Sequence, residues 1–198
     1  MKIPKDWSDI TVGQFQEYQK TLGEEPNNVL EEQDLLERRA MALTGFDWDQ
    51  LGQLTMKQLY AINNIPKTDI KGKLKKRIKV AGRRYRVILD PTKEESLRYK
   101  MVMNACKEKD VQLHRLMFSV CVPINWMGKD QDLKPYEVQE RLNEFKSMPM
   151  TIANPIVVFF WNLSNDLTQS ILQFSNSKMK EMNKMVTTEI DSIKSMAG

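Results

Sequence analysis

A chain of 198 residues with 41% hydrophobic content can bury a core without disulfide or metal staples, and its two cysteines fit a compartment where thiols stay free. Net charge is only +4, yet Lys67 to Arg86 holds ten basic residues against Asp69 alone, so this stretch carries +9 and the remaining residues 4 − 9, or −5. That balance excludes a uniformly basic nucleic-acid coat and leaves one local cationic patch, suited to a polyanion or an acidic protein surface.

The N-terminal sequence MKIPKDWSDI lacks the apolar core of a signal peptide, and no export leader is expected. Thr11 is a candidate helix N-cap with Gln14 as its capping-box partner, and the helix that follows runs to about Leu22. Val29 to Thr44 reads as a helix with Leu35, Leu36, Arg39, Ala40 and Leu43 at helical spacing and Gly45 as its stop. A short helix from Phe46 to Leu51 follows. Another starts at Leu54-Thr55 and takes in Met56, Leu59, Tyr60 and Ile62 before Pro66 ends it.

Leu74 to Asp90 changes the period. Ile78 and Val80, then Tyr85, Val87 and Leu89, alternate with Lys79, Arg84, Arg86 and Ile88, the period of 2 expected of half-buried strands, and Ala81-Gly82 supplies a two-residue turn. The result is a β-hairpin with one basic face: Lys75, Arg77, Lys79, Arg84 and Arg86.

Helix resumes at Asp90-Pro91-Thr92, with Leu97, Met101, Val102 and Ala105 as its inner stripe. Val111 to Val122 is expected to be a second apolar helix that Pro123 breaks. Pro135 to Lys146 is amphipathic through Tyr136, Val138, Leu142 and Phe145. Thr151 to Leu163 is the most apolar helical stretch, far short of the roughly 20 residues a membrane span requires. The stretch from Ser164 to Gly198 is polar and methionine-rich, with Leu167, Ile171, Phe174, Met182 and Met185 tracing a seam. It reads as a long docking or self-pairing helix, the alternative being a mobile tail.

The fold class expected is mainly α: an N-terminal helical subdomain (1–66), a basic antiparallel hairpin (67–90), a second helical subdomain (91–163) and a helical tail (164–198). Buried positions should include Leu36, Leu43, Leu59, Val87, Leu116, Phe145 and Phe160.

No residue pattern announces a reaction. His114 is the only histidine and lies among Leu113, Leu116 and Met117, while Cys106 and Cys121 lack a CxxC spacing, so neither metal nor cofactor is expected. Gly72-Lys73 lacks the preceding glycine and strand of a phosphate-binding loop. The cationic hairpin face is the best candidate for an interaction. With Tyr85 pointing the other way, no aromatic interleaves there and base stacking is disfavoured; because the basic charge is confined to one ribbon and the remaining chain, at −5, repels a long polyanion, an acidic protein surface is the preferred occupant. Trp7, Trp48, Trp126 and Trp161 lie beside helix boundaries, where core or interface anchoring is their expected use.

The opening WSDITVGQF followed by LLERRAMALTGFDWDQLGQLTMKQLYAI resembles small helical morphogenesis proteins of tailed bacteriophages, tail assembly chaperones above all, over about the first third of the chain. The resemblance implies a non-enzymatic protein of the host cytoplasm that covers apolar helices of a tape-measure-type partner during assembly. The alternative it implies is a structural or cargo protein retained in the virion, in the tail or capsid interior, whose basic hairpin contacts DNA.

Overall fold

The computed structural model describes residues 2–107, 112–131 and 134–166, together with 169 and 179. Residues Met1–Phe159 form one compact unit and Phe160–Gly198 a second. The fold is mainly helical, with a single antiparallel sheet among the described residues.

Local chemistry sets most of the N-terminal helix boundaries. Helix α1 (Val12–Gln19) opens on a complete capping box, in which the Thr11 hydroxyl accepts from the Gln14 amide and the Gln14 side chain accepts from Thr11 N–H. Helix α2 (Val29–Thr44) is capped by the Asn28 side chain and carries Glu31 and Glu32 in its first turn, where the helix dipole favours anions. It stops at Gly45, whose φ of 70° is the left-handed conformation that closes a helix at little cost for glycine. Capping boxes at Asp47/Gln50 and Thr55/Gln58 then start α3 (Trp48–Leu51) and α4 (Met56–Asn64).

Strands β1 (Arg77–Val80) and β2 (Arg83–Val87) form the expected hairpin, with Val80 paired to Arg83 across the turn. Ala81 at φ 47° and Gly82 at φ 82° are both left-handed, as in the turns whose twist matches that of paired strands. After a short 3₁₀ turn at Pro91–Lys93 come α5 (Ser96–Lys107) and α6 (Leu113–Val120).

The apolar run that reads as one helix through Val122 in fact ends at Val120. Cys121–Ile124 is strand β3, paired antiparallel to β2 so that the sheet order is β1-β2-β3. Pro123 sits opposite Tyr85 on this edge strand, where a missing N–H costs the ladder little. A 3₁₀ turn (Pro135–Glu137) leads into α7 (Val138–Lys146), and helix α8 occupies residues 150–159 of the first unit.

The two helical halves that flank the hairpin in sequence pack together within the first unit. Helix α1 contacts α2, α6 and α7. The segment before α1 pairs with the chain entering α8: Val12 N–H donates to Met148 C=O and Met150 N–H to Ile10 C=O, both at 2.8 Å. Ile10, Val12, Leu43, Ile62, Tyr85, Ile88, Met117, Phe145, Met148 and Ile156 are almost completely buried. Trp7 is buried as well, its indole N–H donating to Thr68 C=O.

Of the expected core positions, Leu43, Leu59, Val87, Leu116, Phe145 and Phe160 are buried, whereas Leu36 is only half-buried. Three inward assignments are corrected. Leu97 is 73% exposed and Met101 44%, because the inward face of α5 is instead that of Arg98 and Val102, with Arg98 held by Asp130. Tyr136 is exposed beside Lys134. Ile88, grouped above with the basic face, is fully buried: strand pairing ends at Val87, and Ile88 N–H donates to Val120 C=O.

Gly72 meets α8 at close range. A Cβ there would collide with the Thr151 carbonyl oxygen and lie 2.8 Å from Pro155 Cγ. Pro155 has no N–H to offer the Thr151 carbonyl four residues before it, and that carbonyl and the Pro155 ring together fill the space beside Gly72. Gly72→Ala is expected to destabilise the unit by about 1–3 kcal/mol through overpacking against backbone. Urea unfolding of the variant checks this, and a midpoint equal to that of the unmodified chain would rule out the close approach.

Candidate functional site

The hairpin register sets cations directly opposite one another. Lys79 pairs with Arg84 and Arg77 with Arg86, on the face away from buried Ile78, Val80, Tyr85 and Val87. Like charges across adjacent strands repel, so each needs a partner or solvent.

Arg86 has partners. Its guanidinium donates to Glu94 Oε1 at 2.7 Å and to both carboxylate oxygens of Asp130, at 2.7 and 3.1 Å. Arg98 approaches the same two carboxylates at 3.4 and 3.2 Å. The Arg86 guanidinium, ahead of every other cause, holds the Glu94 and Asp130 carboxyls below their ordinary range, and the Glu94 side chain is only 9% exposed. Arg86 is therefore an internal clamp that fastens the chain after β3 onto the sheet, and it is removed from the set of partner-facing cations.

The opposite face carries a second network. The Tyr85 hydroxyl donates to Glu144 at 2.8 Å and accepts from Arg141 at 3.2 Å. Burial, then that hydrogen bond, pushes the phenol up to about 12. Arg83 reaches past the sheet edge to Glu144 and Glu140, at 2.9 and 2.7 Å. These contacts lock β2 to α7.

Lys75, Arg77, Lys79 and Arg84 remain. All four are exposed, and none forms an ion pair with a described carboxylate. They line a groove of about 420 Å³ with Ile78, Ile124 and Trp126. Trp126 is the residue that sequence reasoning missed on this face. It rides on the turn after β3, where the Asn125 side chain accepts from the Met127 and Lys129 amides and Gly128, at φ 81°, lets the chain reverse. The Arg77 guanidinium lies against that glycine, with its nearest nitrogen 3.0 Å from where a Cβ would stand. The indole itself is 81% exposed. The signal available in the sequence was the pair Asn125 and Gly128 spaced as a turn; its position over the hairpin is a tertiary fact.

Leu167, Ile171, Phe174, Met182 and Met185, the expected docking seam, lie outside the described residues. His114 is buried with Nδ1 2.9 Å from Gln16 Oε1, and burial holds its imidazole below its ordinary range, with Lys146 and Arg115 adding to the effect. The Cys121 thiol is buried and pushed up by that burial. Among the described residues no group of three or more His, Cys, Asp and Glu side chains is placed to hold a metal ion, and no helix is long and apolar enough to cross a membrane.

A second surface lies on the N-terminal third. Trp48, Leu51, Leu54, Met56 and Leu59, with Glu37 of α2, line a cleft of about 210 Å³ beside α3 and α4, with Trp48 and Met56 about half exposed. Exposed Tyr60 follows on α4, and Val29 and Leu30 stand exposed in the first turn of α2.

No protein-family model, curated protein or solved structure matches the chain.

Proposed function

We propose that this is a non-enzymatic morphogenesis protein of a tailed bacteriophage, acting in the host cytoplasm in the manner of a tail assembly chaperone that holds another structural protein. The observation that carries the reading is the mainly apolar cleft beside α3 and α4, with its half-exposed Trp48 and Met56 and Glu37 at its side. It lies in the same third of the chain that resembles such chaperones. Half-exposed aromatic and methionine side chains on helices form an adaptable surface that can take the apolar face of a client helix. The titratable candidates support a binding role over a catalytic one: His114 is buried against Gln16, and the Cys121 thiol is held protonated.

The experiment is co-expression with a tape-measure-type protein of the same phage. The client is expected to stay soluble and co-purify with this chain, and Met56→Glu with Tyr60→Glu should abolish both while the circular dichroism spectrum is unchanged. Equal client solubility with and without the chain would overturn the reading. A second reading, a component retained in the virion against DNA, is favoured by the groove cations Lys75, Arg77, Lys79 and Arg84, which have no ion-pair partner among the described residues. Mass spectrometry of purified particles separates the two, since a retained component is present and a chaperone absent.

A further inference from the structure

We infer that the groove over the hairpin is a binding site for single-stranded nucleic acid, in which Lys75, Arg77, Lys79 and Arg84 take successive phosphates and Trp126 stacks on a base. This stands apart from the client cleft on α3 and α4 and does not depend on it.

Charge selection on the sheet is the first ground. Arg83, Arg86, Arg98 and Arg141 each lie within 4 Å of at least one carboxylate, so acidic partners surround this sheet on both faces. The four groove cations have none among the described residues, and Lys79 and Arg84 face each other directly across the strands. Such an arrangement is repulsive in isolation and is relieved by an anionic ligand. Strand geometry spaces Arg77 and Lys79 by about 7 Å along β1, a fixed ladder for a charged backbone.

The second ground is the tryptophan. An indole 81% exposed gains nothing from the core, yet its turn is held firmly: Asn125 N–H donates to Lys129 C=O, Gly128 N–H to Asn125 C=O, and Asp130 is clamped by Arg86. An exposed aromatic on a firmly held turn beside a cationic track is an arrangement by which proteins hold unpaired strands, because every base offers a flat face. In a duplex those faces are already stacked on one another, so Trp126 has no ligand there. The −5 carried by the rest of the chain confines contact to this ribbon, which suits a short tract of strand. An acidic peptide satisfies the cations but leaves the indole without a planar partner.

The test is fluorescence anisotropy of the full chain with a labelled oligothymidylate of about 16 nucleotides, the upper end of common site sizes. Four phosphate contacts predict a log–log salt slope near −2.8, or about fifty-fold weaker binding at about 200 mM than at about 50 mM salt. Lys79→Glu with Arg84→Glu should roughly halve the slope. Trp126→Ala should keep the slope and weaken binding about tenfold, and an abasic strand of equal length should bind the unmodified chain and Trp126→Ala alike. The inference is overturned by no binding at low salt, by Trp126→Ala binding as the unmodified chain does, by duplex binding more tightly than single strand, or by polyglutamate of equal charge competing as well as the oligonucleotide.

Discussion

Phe145→Ala is expected to cost about 3–5 kcal/mol, the range for removing a fully enclosed aromatic ring. Phe145 is 0% exposed, and its ring centroid lies 4.9 Å from that of Tyr85 and 6.5 Å from that of Phe118. It is thus the point at which α7, β2 and α6 meet. Truncation opens a cavity beneath the sheet and deprives the Tyr85 ring of the packing that aims its hydroxyl at Glu144. At this chain length the melting temperature should fall by about 6–20 °C. Phe145→Leu, which keeps most of the volume, should lose much less. Urea unfolding checks both, and a loss under about 1 kcal/mol for the alanine variant would mean that the three elements do not share this core.

Much of this architecture was legible because its determinants are local. Thr11 with Gln14, Thr55 ahead of α4 and Gly45 after α2 act within four residues of themselves and mark the expected boundaries, whereas Asp47, expected inside the short helix from Phe46, is its N-cap, and α3 begins at Trp48. Ala81-Gly82 likewise fixes the hairpin register from within the turn. Strand β3 was illegible for a physical reason: all four of its residues are buried, so the alternation that betrays a half-buried strand is absent and its apolar run continues that of α6. Pro123 then reads as a breaker when it is an edge-strand residue.

The candidate site was half legible. Sequence alone nominated five cations on one face of the hairpin, four of them on β1 and β2 and Lys75 just before β1. It could not show that Glu94 and Asp130, 8 and 44 positions away from Arg86, take one of those cations out of play, nor that the chain after β3 brings Trp126 over the rest. Asp130 and Trp126 are brought there by the chain that follows the third strand, and Glu94 by the turn that follows β2.

Arg86→Met is the second large effect expected. It leaves the Glu94 carboxylate, 9% exposed, and its neighbour Asp130 as like charges with only Arg98 nearby. Stranding a largely buried charged group costs about 1–3 kcal/mol, and the partial exposure of Asp130 keeps the figure within that range. The pH dependence follows from the direction of the shifts. Unfolded Asp and Glu titrate at about 3.9 and 4.3, and in the folded chain both carboxyls lie lower because of Arg86, so the stabilisation is complete above those values. It drains as pH falls through them toward the folded values, where the folded carboxylates also take up protons. The difference between Arg86→Met and the unmodified chain should therefore be full at neutral pH and vanish in strong acid.

Thermal melting of Arg86→Met beside Arg84→Met at neutral pH tests most directly whether the hairpin's basic face is divided into one structural clamp and four cations left for a ligand. Arg86→Met should melt about 2–12 °C lower than the unmodified chain. Arg84→Met should melt within about 2 °C of it or slightly higher, since a surface cation opposite Lys79 is removed without loss of a partner. Equal losses in the two variants, or no loss in either, would contradict that division.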